Sequence, residues 1–355
     1  MACLRFALGA VLCAALLAAC SGWGESESLA ADPDAVALPA LETASPGPTA
    51  ATELPTPKPT DAAEVGANEL GEIPVLMYHR LLPDGGGEYD RTPDEFRAEL
   101  QRLYDEGYRP VRTIDLVRGE LDVAAGMTPV VLTFDDSTRE QFAYAEDGSV
   151  QPDTAVGILL AFAEAHPDFP AVGSFYVNTE PFGGGPDSAA LLADIHELGF
   201  ELGNHTAGHV NLGQSDAETV RRELAAGVEV ITDAVPDAEV RTMSLPLGVW
   251  SEPRDLVYSG SWEGTEYVNE GILLVGSDPA PSPFHAEFDP HAIPRIRTAP
   301  IPTGDPDYGS GFWLDILARN PDRRYRSDGN PSWVSFPSAL SDQLDEAFAD
   351  RANPY

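Results

Sequence analysis

The sequence predicts an α/β fold in which a parallel β-sheet closes into a barrel with helices outside. Short apolar runs alternate with amphipathic segments of helical periodicity from residue 73 to about residue 275, and this alternation is typical of β/α units. Neither glycine-rich segment, 85–87 or 183–185, has the spacing of a dinucleotide- or phosphate-binding loop. Because many such units follow one another without that fingerprint, a barrel is favoured over an open nucleotide-binding sheet.

The predicted elements follow one another along the chain. Apolar runs short enough for buried strands occur at 73–79, 129–134, 171–177, 200–203, 240–245 and 272–275. Segments with apolar residues three or four positions apart are predicted as helices at 93–106, 158–165, 189–198 and 216–233. Thr92 precedes the first of these helices and is suited to cap it. Chemistry in such barrels collects where strands end, so polar residues after the strands are the candidates for a site.

The first 20 residues predict an exported lipoprotein. Arg5 precedes an apolar, alanine-rich run that is too short for a spanning helix and fits the core of a signal peptide. The run ends in Leu-Ala-Ala-Cys at 17–20, which resembles the bacterial lipobox, whose cysteine receives a diacylglyceryl group. We therefore expect residues 1–20 to be a signal peptide and Cys20 to be lipidated, with the protein extracytoplasmic and anchored to the bacterial cell membrane. The alternative is an ordinary signal peptide with an incidental cysteine.

Residues 21–70 are predicted as a disordered linker. Prolines recur between residues 33 and 59 among Ala, Thr, Ser and Glu, with too little apolar periodicity to bury. All 3 cysteines lie within the first 20 residues, so the exported domain is expected to fold without disulfides. The formal net charge of -37 repels phosphate backbones and argues against nucleic acid as a partner. Such a surface tolerates a neutral sugar polymer.

Two adjacent carboxylates close the predicted strand 129–134. Asp135 and Asp136 follow that strand directly, and crowding two charges there is costly unless a cation or a proton separates their roles. Neighbouring residues point in different directions, so the pair does not face across a glycosidic bond as sugar-cleaving carboxylates do. The motif suits one carboxylate bound to a metal and the other acting as a base. A pair of helix N-cap residues is the alternative.

Two histidines four residues apart follow a later strand. His205 and His209 have the spacing that lets two imidazoles on one helical turn reach one zinc ion. Together with Asp136 they make a set of two histidines and one carboxylate that leaves a coordination position for water. For a single histidine, a hydrogen-bonded structural role is the usual alternative. The sequence therefore predicts a metal site of these three residues.

These motifs, in this order, resemble those of the polysaccharide deacetylases of the NodB-homology type, carbohydrate esterase family 4. The resemblance spans about residues 72–298 and rests on strand 73–79, Thr133-Phe-Asp-Asp, His205-x-x-x-His209 and Ser244-Leu-Pro-Leu-Gly248. The opening Pro-Val-Leu-Met-Tyr-His looks like the branch that acts on poly-N-acetylglucosamine. The family implies a distorted barrel of about seven β/α units, here with a disordered N-terminal tether and a C-terminal extension over 299–355.

The resemblance also implies roles for the site residues. Asp135 is expected to be the general base, while Asp136, His205 and His209 hold a divalent metal, which is zinc or else nickel or cobalt. Water activated by that metal attacks the acetamide carbonyl. A backbone N–H near Leu247 is expected to stabilise the oxyanion.

Further residues are placed by the same resemblance, with alternatives. His79 is the candidate for protonating the leaving amine, and a hydrogen-bonded structural histidine is the alternative. Ser244 departs from the family pattern, since many members have an arginine there. Arg295 lies where a Leu-x-His motif is usual and is expected to support the catalytic carboxylate, an ordinary surface arginine being the alternative. Pro246 and Leu247, with Arg295, are expected to contact substrate.

Three features stay open in the sequence. The segment 137–170 is longer than the family pattern after Asp-Asp and is expected to reshape the substrate groove. His285 and His291 are further candidates for the general acid. Trp250 and Trp262 either stack on sugar rings or belong to the core.

Taken with this resemblance, the sequence implies a metal-dependent hydrolase that is expected to remove N-acetyl groups from an N-acetylglucosamine-containing polysaccharide at the cell envelope. Its deacetylase domain is expected over 71–298, and its partners are the polysaccharide and, through Cys20, the membrane. It is expected to be a monomer. Two other functions stay open, an O-acetyl esterase of the xylan type and a catalytically silent carbohydrate-binding lipoprotein.

Overall fold

The computed structural model describes residues 61–276, 278–298 and 309–355. The predicted signal peptide, the lipidation site Cys20 and most of the predicted linker lie outside these described residues. The chain divides into a unit Met1–Thr56, which is not among the described residues, and a unit Pro57–Tyr355, which contains all of them.

The described residues contain fourteen β-strands, most of them short. In chain order they are β1 (Val75–Tyr78), β2 (Arg80–Leu81), β3 (Asp90–Arg91), β4 (Tyr108–Val111), β5 (Thr128–Phe134), β6 (Ser174–Val177), β7 (Glu201–Asn204), β8 (Thr242–Ser244), β9 (Ser259–Trp262), β10 (Thr265–Val268), β11 (Gly271–Leu273), β12 (Ile296–Arg297), β13 (Val334–Phe336) and β14 (Ala352–Pro354). Eight of them form one sheet in which every pair is parallel, and the others form three two-stranded sheets.

The eight-stranded sheet curls into a ring. Its hydrogen-bonded path runs β11-β8-β7-β6-β5-β1-β12, and β4 pairs with the first half of β5. The two ends of the path are joined by the isolated parallel bridges Leu273↔Ile293 and Gly276↔Ile296. The predicted α/β class, with a distorted barrel of seven units, is therefore confirmed.

Seven α-helices accompany the sheet in the described residues. They are α1 (Ala62–Val65), α2 (Pro93–Asp105), α3 (Thr113–Arg118), α4 (Ala155–Ala165), α5 (Ser188–Glu197), α6 (Ala217–Ala234) and α7 (Ser310–Arg319). Thr92 caps α2 in a reciprocal capping box with Glu95, as the sequence predicts. Within the described ranges, no helix combines the length and the apolar character that crossing a membrane requires.

The strand β4 and the helix α3 are absent from the sequence prediction. The four residues of β4 include Arg109 and Pro110, so they form no apolar run. The guanidinium of Arg109 is instead satisfied by an ion pair with Asp168 and lies 4.6 Å from the ring centroid of Tyr104. Because these partners are distant in sequence or absent from any local pattern, periodicity alone does not find this strand.

An aromatic stack supports the end of β5. The ring of Phe134 lies between those of Tyr78 and Phe175, with centroid distances of 5.2 and 4.6 Å. Phe96 of α2 meets the rings of both Tyr78 and Phe134 edge-on. This stack fixes the backbone immediately before Asp135, and aromatic pairs of this kind stabilise beyond their buried area.

The structure corrects the end of the predicted linker. Residues 61–65 form the cap and body of α1, and Asn68 pairs with Arg326 through backbone hydrogen bonds. Gly71 approaches the C-terminal segment so closely that a Cβ atom there would lie 2.4 Å from the carbonyl carbon of Arg324. Residues 61–70 look like linker because their own composition is polar, but contacts with residues more than 250 positions away make them part of the folded unit.

Glu69 is the centre of these contacts and lies beyond the amino ends of the strands. Only 3% of it is exposed, and its carboxylate accepts hydrogen bonds from Tyr325 Oη, Ser327 Oγ and the backbone N–H groups of Asp328 and Ser335. Burial, reinforced by the nearby charge of Asp328, raises the pKa of Glu69 to about 8 although these hydrogen bonds oppose the shift. We call this end of the barrel the closed end.

The C-terminal segment covers the closed end. Val334 and Phe336 of β13 share an apolar cluster with Tyr325 and with Ile73 and Val75 before and in β1. The helix α7 belongs to the same C-terminal segment and buries Leu314 and Leu317.

Candidate active site

The predicted site residues lie at the opposite end of the barrel, where the parallel strands finish. His79 follows β1, Asp135 and Asp136 follow β5, and His205 follows β7. Because the carboxyl ends of parallel strands meet at one edge, residues far apart in sequence come together there. The structure brings together His79, Asp135, Asp136, His205, His209 and Arg295, with Pro246 and Leu247 just after the neighbouring strand β8.

Asp135 is held by a bidentate ion pair. Its Oδ1 and Oδ2 atoms accept hydrogen bonds from the two terminal nitrogens of Arg295, both at 2.7 Å. Ser244 Oγ donates a further hydrogen bond to Oδ1 at 3.1 Å. The Arg295 side chain is fully buried, so it is a site residue and not an ordinary surface arginine, and the fork geometry suits a carboxylate.

The charge of Asp135 follows from this partner. Burial, the largest single influence, raises the pKa of Asp135, but the Arg295 guanidinium together with the two nearby histidines outweighs it and keeps the pKa well below its ordinary value. His205 and His79 act in the same direction. The carboxylate is therefore ionised throughout the physiological pH range.

Asp136 has a different environment from its neighbour. One oxygen lies 3.5 Å from His205 Nε2 and 3.6 Å from His209 Nε2. The three residues each offer a ligand atom, and these atoms lie within 4.8 Å of one another. Asp136 and His209 are about one-third exposed whereas the His205 side chain is fully buried, so the cluster opens to solvent on one side. This is the geometry expected of a site with a free coordination position.

His205 shows why these residues fit a metal. Its Nδ1–H group donates to the backbone oxygen of Ser244 at 2.9 Å, and Ser244 Oγ lies 2.6 Å from the same nitrogen. Because a carbonyl oxygen only accepts, the proton is on Nδ1 and the lone pair is on Nε2, as in most metal-bound histidines. That Nε2 atom is buried and has no hydrogen-bond partner among the described residues. An orphaned buried acceptor facing a carboxylate is satisfied by a cation.

Backbone strain concentrates around the same cluster. Asp136, Thr206 and His209 have φ angles of 73°, 61° and 49°, which non-glycine residues adopt at a cost. Ser137 and Leu247, at 44° and 59°, add to this group. The turns after β5, β7 and β8 therefore place their side chains through conformations that the surrounding fold must stabilise. Sequence reasoning had no signal for this strain.

His79 completes the arrangement beside Asp135. Its Nε2 atom lies 3.9 Å from Asp135 Oδ2, and its side chain is 18% exposed. Burial lowers the pKa of His79, while the charges of Asp135 and Asp136 oppose that shift. On its other side the imidazole meets the ring of Tyr89, with centroids 4.9 Å apart. Tyr89 is 40% exposed and was not singled out from the sequence.

Pro246 and Leu247 form a rim of the site. They belong to a 3-10 turn, Pro246–Gly248, that follows β8. Leu247 is 59% exposed, and a Cβ atom on Gly248 would lie 2.9 Å from Val275 Cβ. The turn therefore packs against the segment after β11 and presents Leu247 to solvent.

Asn178 is a site-supporting residue that the sequence reasoning missed. Its amide nitrogen donates to the backbone oxygens of His205 and Thr206, both at 2.9 Å. It therefore holds the turn that carries the metal-ligand candidates. Its position directly after the apolar run of β6 is the same signal that found Asp135 and His205.

Two reserve candidates for the general acid lie elsewhere. His285 pairs with Leu344 of the C-terminal segment, and His291 stacks on Tyr258 at a centroid distance of 4.3 Å. Trp250 lies under the guanidinium of Arg254 at 4.9 Å. None of these contacts involves the cluster around Asp135.

Comparison with known proteins gives matches to the part of the chain that contains the metal-ligand candidates. Residues 123–259 match the family model described as polysaccharide deacetylase. The chain is 26% identical over 142 residues to a chitooligosaccharide deacetylase of Sinorhizobium fredii, a match that covers 40% of this chain and 57% of that protein. The chain thus spans little more than half the length of this curated relative.

The chain is also similar to several solved structures, among them the following two. The Streptococcus pyogenes deacetylase PplD in complex with acetate has 20% sequence identity and a TM-score of 0.49, with 64% of this chain and 93% of that chain covered. IcaB from Ammonifex degensii has 18% identity and a TM-score of 0.46, with 65% and 93% covered.

Proposed function

We propose that this chain is a metal-dependent hydrolase that removes N-acetyl groups from an N-acetylglucosamine-containing polysaccharide, and the match of residues 123–259 to the polysaccharide deacetylase family model supports this proposal. One observation carries the proposal. An ionised carboxylate held by Arg295 stands next to a second carboxylate, which shares an open cluster with the Nε2 atoms of His205 and His209. The two neighbouring aspartates thus have separate tasks, as hydrolysis at a metal requires.

Asp136, His205 and His209 would hold the cation. Two imidazole nitrogens and one carboxylate oxygen suit zinc, and nickel or cobalt accept similar donors. When bound, a divalent cation supplies Lewis-acid activation of a water molecule and of the acetyl carbonyl. The protein's part is to orient His205 through Ser244 and to leave one side of the cluster open to substrate.

Asp135 would act as the base. Its pKa is held below the ordinary range, so it is ready to accept a proton from the attacking water. Arg295 keeps the carboxylate in one orientation, since both oxygens are engaged by the guanidinium fork. On the side that faces the open site, Asp135 Oδ2 lies 3.9 Å from His79 Nε2.

His79 would deliver a proton to the leaving amine. Because burial lowers the pKa of His79, the ring is neutral near neutral pH and has to receive a proton before it donates one. Asp135 is the proton carrier beside it. The proton that Asp135 takes from water therefore passes on to the amine with His79 as the last carrier, and the carbonyl oxygen is stabilised by a backbone N–H at Leu247.

The substrate class is inferred from the surroundings of the site. A chain with a formal charge of -37 repels anionic polymers, whereas a neutral N-acetylated polysaccharide meets no such repulsion. The exposed ring of Tyr89 beside His79 offers a sugar an apolar contact surface.

Export and lipid anchoring are part of the proposal. The leader with Cys20 after Leu-Ala-Ala supports them. Metabolic labelling with a fatty acid tests this directly, because the label is expected on the wild-type chain and is expected to disappear in Cys20→Ser.

The experiment that tests the activity measures acetate release and metal content on the same samples. N-acetylglucosamine oligomers and O-acetylated xylan are compared for the wild type, Asp135→Asn and His205→Ala. We expect acetate from the N-acetylated oligomers, a loss of about 10³-fold or more in Asp135→Asn with the metal retained, and a loss of metal in His205→Ala. A wild-type protein that holds zinc but releases acetate only from the xylan would replace the proposal with an esterase.

A further inference from the structure

Gln141 links the backbones of the two residues that would handle protons. Its side chain is fully buried, and its amide nitrogen donates to the backbone oxygen of His79 at 2.8 Å and to that of Asp135 at 2.6 Å. These two residues belong to different strand ends. One side chain therefore bridges β1 and β5 at the point where their side chains face each other.

The two hydrogen bonds of the Gln141 amide connect β1 and β5 beyond the last backbone hydrogen bond between these strands. Strands β1 and β5 are in register up to the pair Tyr78↔Phe134, and the N–H of Asp135 still reaches the oxygen of Tyr78 at 3.0 Å. The oxygens of His79 and Asp135 are the next acceptors along the two strands. Buried carbonyl groups need donors, and the two N–H bonds of the Gln141 amide supply one to each.

The orientation of this amide is determined by its partners. Both partners are carbonyl oxygens, which only accept, so the NH₂ group faces them and the amide oxygen faces away. The backbone of Gln141 is held as well, because its N–H donates to Thr138 and its oxygen accepts from Val156 at the start of α4, both at 3.0 Å. The segment 137–170, which the sequence analysis left open, thus braces the site from beneath.

We propose that Gln141 is a positioning residue that sets the separation of the His79 imidazole from the Asp135 carboxylate. The proposal rests on the proposed function, in which these two groups carry the proton to the leaving amine. Arg295 fixes the orientation of the carboxylate, but among the hydrogen bonds of the described residues none joins Arg295 to the main chain of His79. Gln141 is the described side chain that bonds to the main chain of both residues.

The chemistry of the leaving group separates this role from a merely structural one. An amine leaves an amide only after it receives a proton, whereas the phenolate of 4-nitrophenyl acetate leaves without one. A shifted His79 therefore slows amide hydrolysis more than hydrolysis of the activated ester. A loss of folded protein reduces both rates by the same factor.

The test compares Gln141→Met, which keeps the size but removes both donors, with the wild type on both substrates. We expect kcat for N-acetylglucosamine oligomers to fall about 100-fold, as misplacement by about 1 Å does elsewhere, with KM changed less than about threefold. For 4-nitrophenyl acetate we expect a fall of about tenfold or less. The shorter amide of Gln141→Asn reaches only one of the two oxygens, so its kcat is expected to lie between those of the wild type and of Gln141→Met. This variant replaces Gln141→Met in the test if the methionine variant does not fold.

Asn269→Leu is the matched control. Asn269 is a primary amide that is 2% exposed and donates to the backbone oxygen of Val257 at 2.7 Å, and neither residue belongs to the site. We expect it to lose thermal stability without a change in the ratio of amide to ester activity.

Crystal structures of the wild type and of the Gln141 variants provide a readout that needs no turnover. The His79 Nε2 to Asp135 Oδ2 distance, 3.9 Å in the wild type, is expected to change by about 1 Å in Gln141→Met. An unchanged distance, or equal losses on the two substrates, overturns the positioning role. A wild type that hydrolyses neither substrate refutes the proposed function instead, and the distance still decides the role of Gln141.

Discussion

Two buried carboxylates at opposite ends of the barrel are in opposite states. Asp135 at the candidate site and Glu69 at the closed end are 2% and 3% exposed. Burial lowers the stability of the charged form of both, yet the pKa of Asp135 lies well below its ordinary value whereas the pKa of Glu69 is raised to about 8. Equal burial therefore does not decide the charge of a carboxylate.

The partners decide it. Asp135 forms a bidentate ion pair with the Arg295 guanidinium, whose charge offsets the desolvation of the carboxylate. Glu69 has only uncharged donors and lies near a second carboxylate, Asp328. One end of the barrel thus has an ionised carboxylate at the candidate site, while the other has a neutral carboxyl group that joins the chain's first and last described segments. The following changes test this contrast.

Removal of the guanidinium is expected to have the largest effect. Arg295→Met leaves Asp135 buried without a counter-charge, so the free energy of unfolding should fall by about 3–5 kcal/mol at neutral pH. The pKa of Asp135 should then rise, as that of Glu69 does, and the acid limb of the pH–rate profile should move to higher pH because the base is protonated more easily.

Denaturant unfolding and pH–rate profiles check this prediction, with Arg97→Met as the control. Arg97 is about 40% exposed and pairs with Asp94 and Asp153, so its removal should cost at most about 1 kcal/mol. In the wild type, the stability contributed by ionised Asp135 is present above the unfolded pKa of about 3.9 and is lost as the pH falls below it. A pH–rate profile that is unchanged in Arg295→Met would show that the guanidinium does not set the pKa of Asp135.

Removal of a metal-ligand candidate should change metal binding at the candidate site and leave the closed end of the barrel unchanged. His205→Ala is expected to weaken zinc binding by more than about 100-fold, because loss of an outer-shell partner alone costs about 10- to 100-fold. Titration with a competing chelator measures the affinity. His291→Ala, whose ring stacks on Tyr258 away from the cluster, is the control, and equal zinc affinities in the two variants would contradict the ligand assignment.

Replacing Glu69 by a residue that does not titrate should change the pH dependence of stability. Between the ordinary pKa of 4.5 and the raised value of about 8, the folded chain binds more protons than the unfolded chain. Stability should therefore fall as the pH rises through this window, with a slope that approaches about 1.4 kcal/mol per pH unit. Glu69→Gln should flatten that slope in denaturant unfolding at several pH values. Glu64→Gln, at an exposed position, should leave it unchanged.

Two equally exposed aromatic residues give the smallest expected difference. Tyr89 beside His79 is 40% exposed, and Trp333 of the C-terminal segment is 37% exposed. Tyr89→Ala should raise KM for N-acetylglucosamine oligomers by about three- to tenfold through lost contact area, with little change in kcat. Trp333→Ala should leave KM unchanged. A similar rise of KM in both variants would show that the effect does not depend on the position of Tyr89 beside His79.

Much of the barrel and of the metal cluster is predictable from the sequence because the signals are local. The apolar run of β5 ends directly in Asp135 and Asp136, and the spacing of His205 and His209 is a property of one turn. β4 escapes such reasoning because Arg109 replaces an apolar residue and is satisfied through space.

The supporting residues are less predictable because their partners are distant. Arg295 meets Asp135 across 160 positions, so its sequence context is compatible with a surface residue. Glu69 resembles linker because its burial depends on Ser335, 266 positions away. Gln141 lies in the segment 137–170, which is expected from its length to reshape the substrate groove, and its contacts with the main chain beneath the site have no signal in the sequence.

The pairing of β1 with β12 also constrains when the protein can become active. Thr298 Oγ1 bonds to the oxygen of Met77 across 221 positions, and Ile296 aligns with Leu76 in the sheet. During synthesis, β1 therefore has an unpaired edge until nearly the whole barrel has been made, and such high contact order slows folding. Arg295, whose guanidinium keeps the buried Asp135 ionised, lies directly before that last strand, so the candidate site is not assembled before the ring is complete.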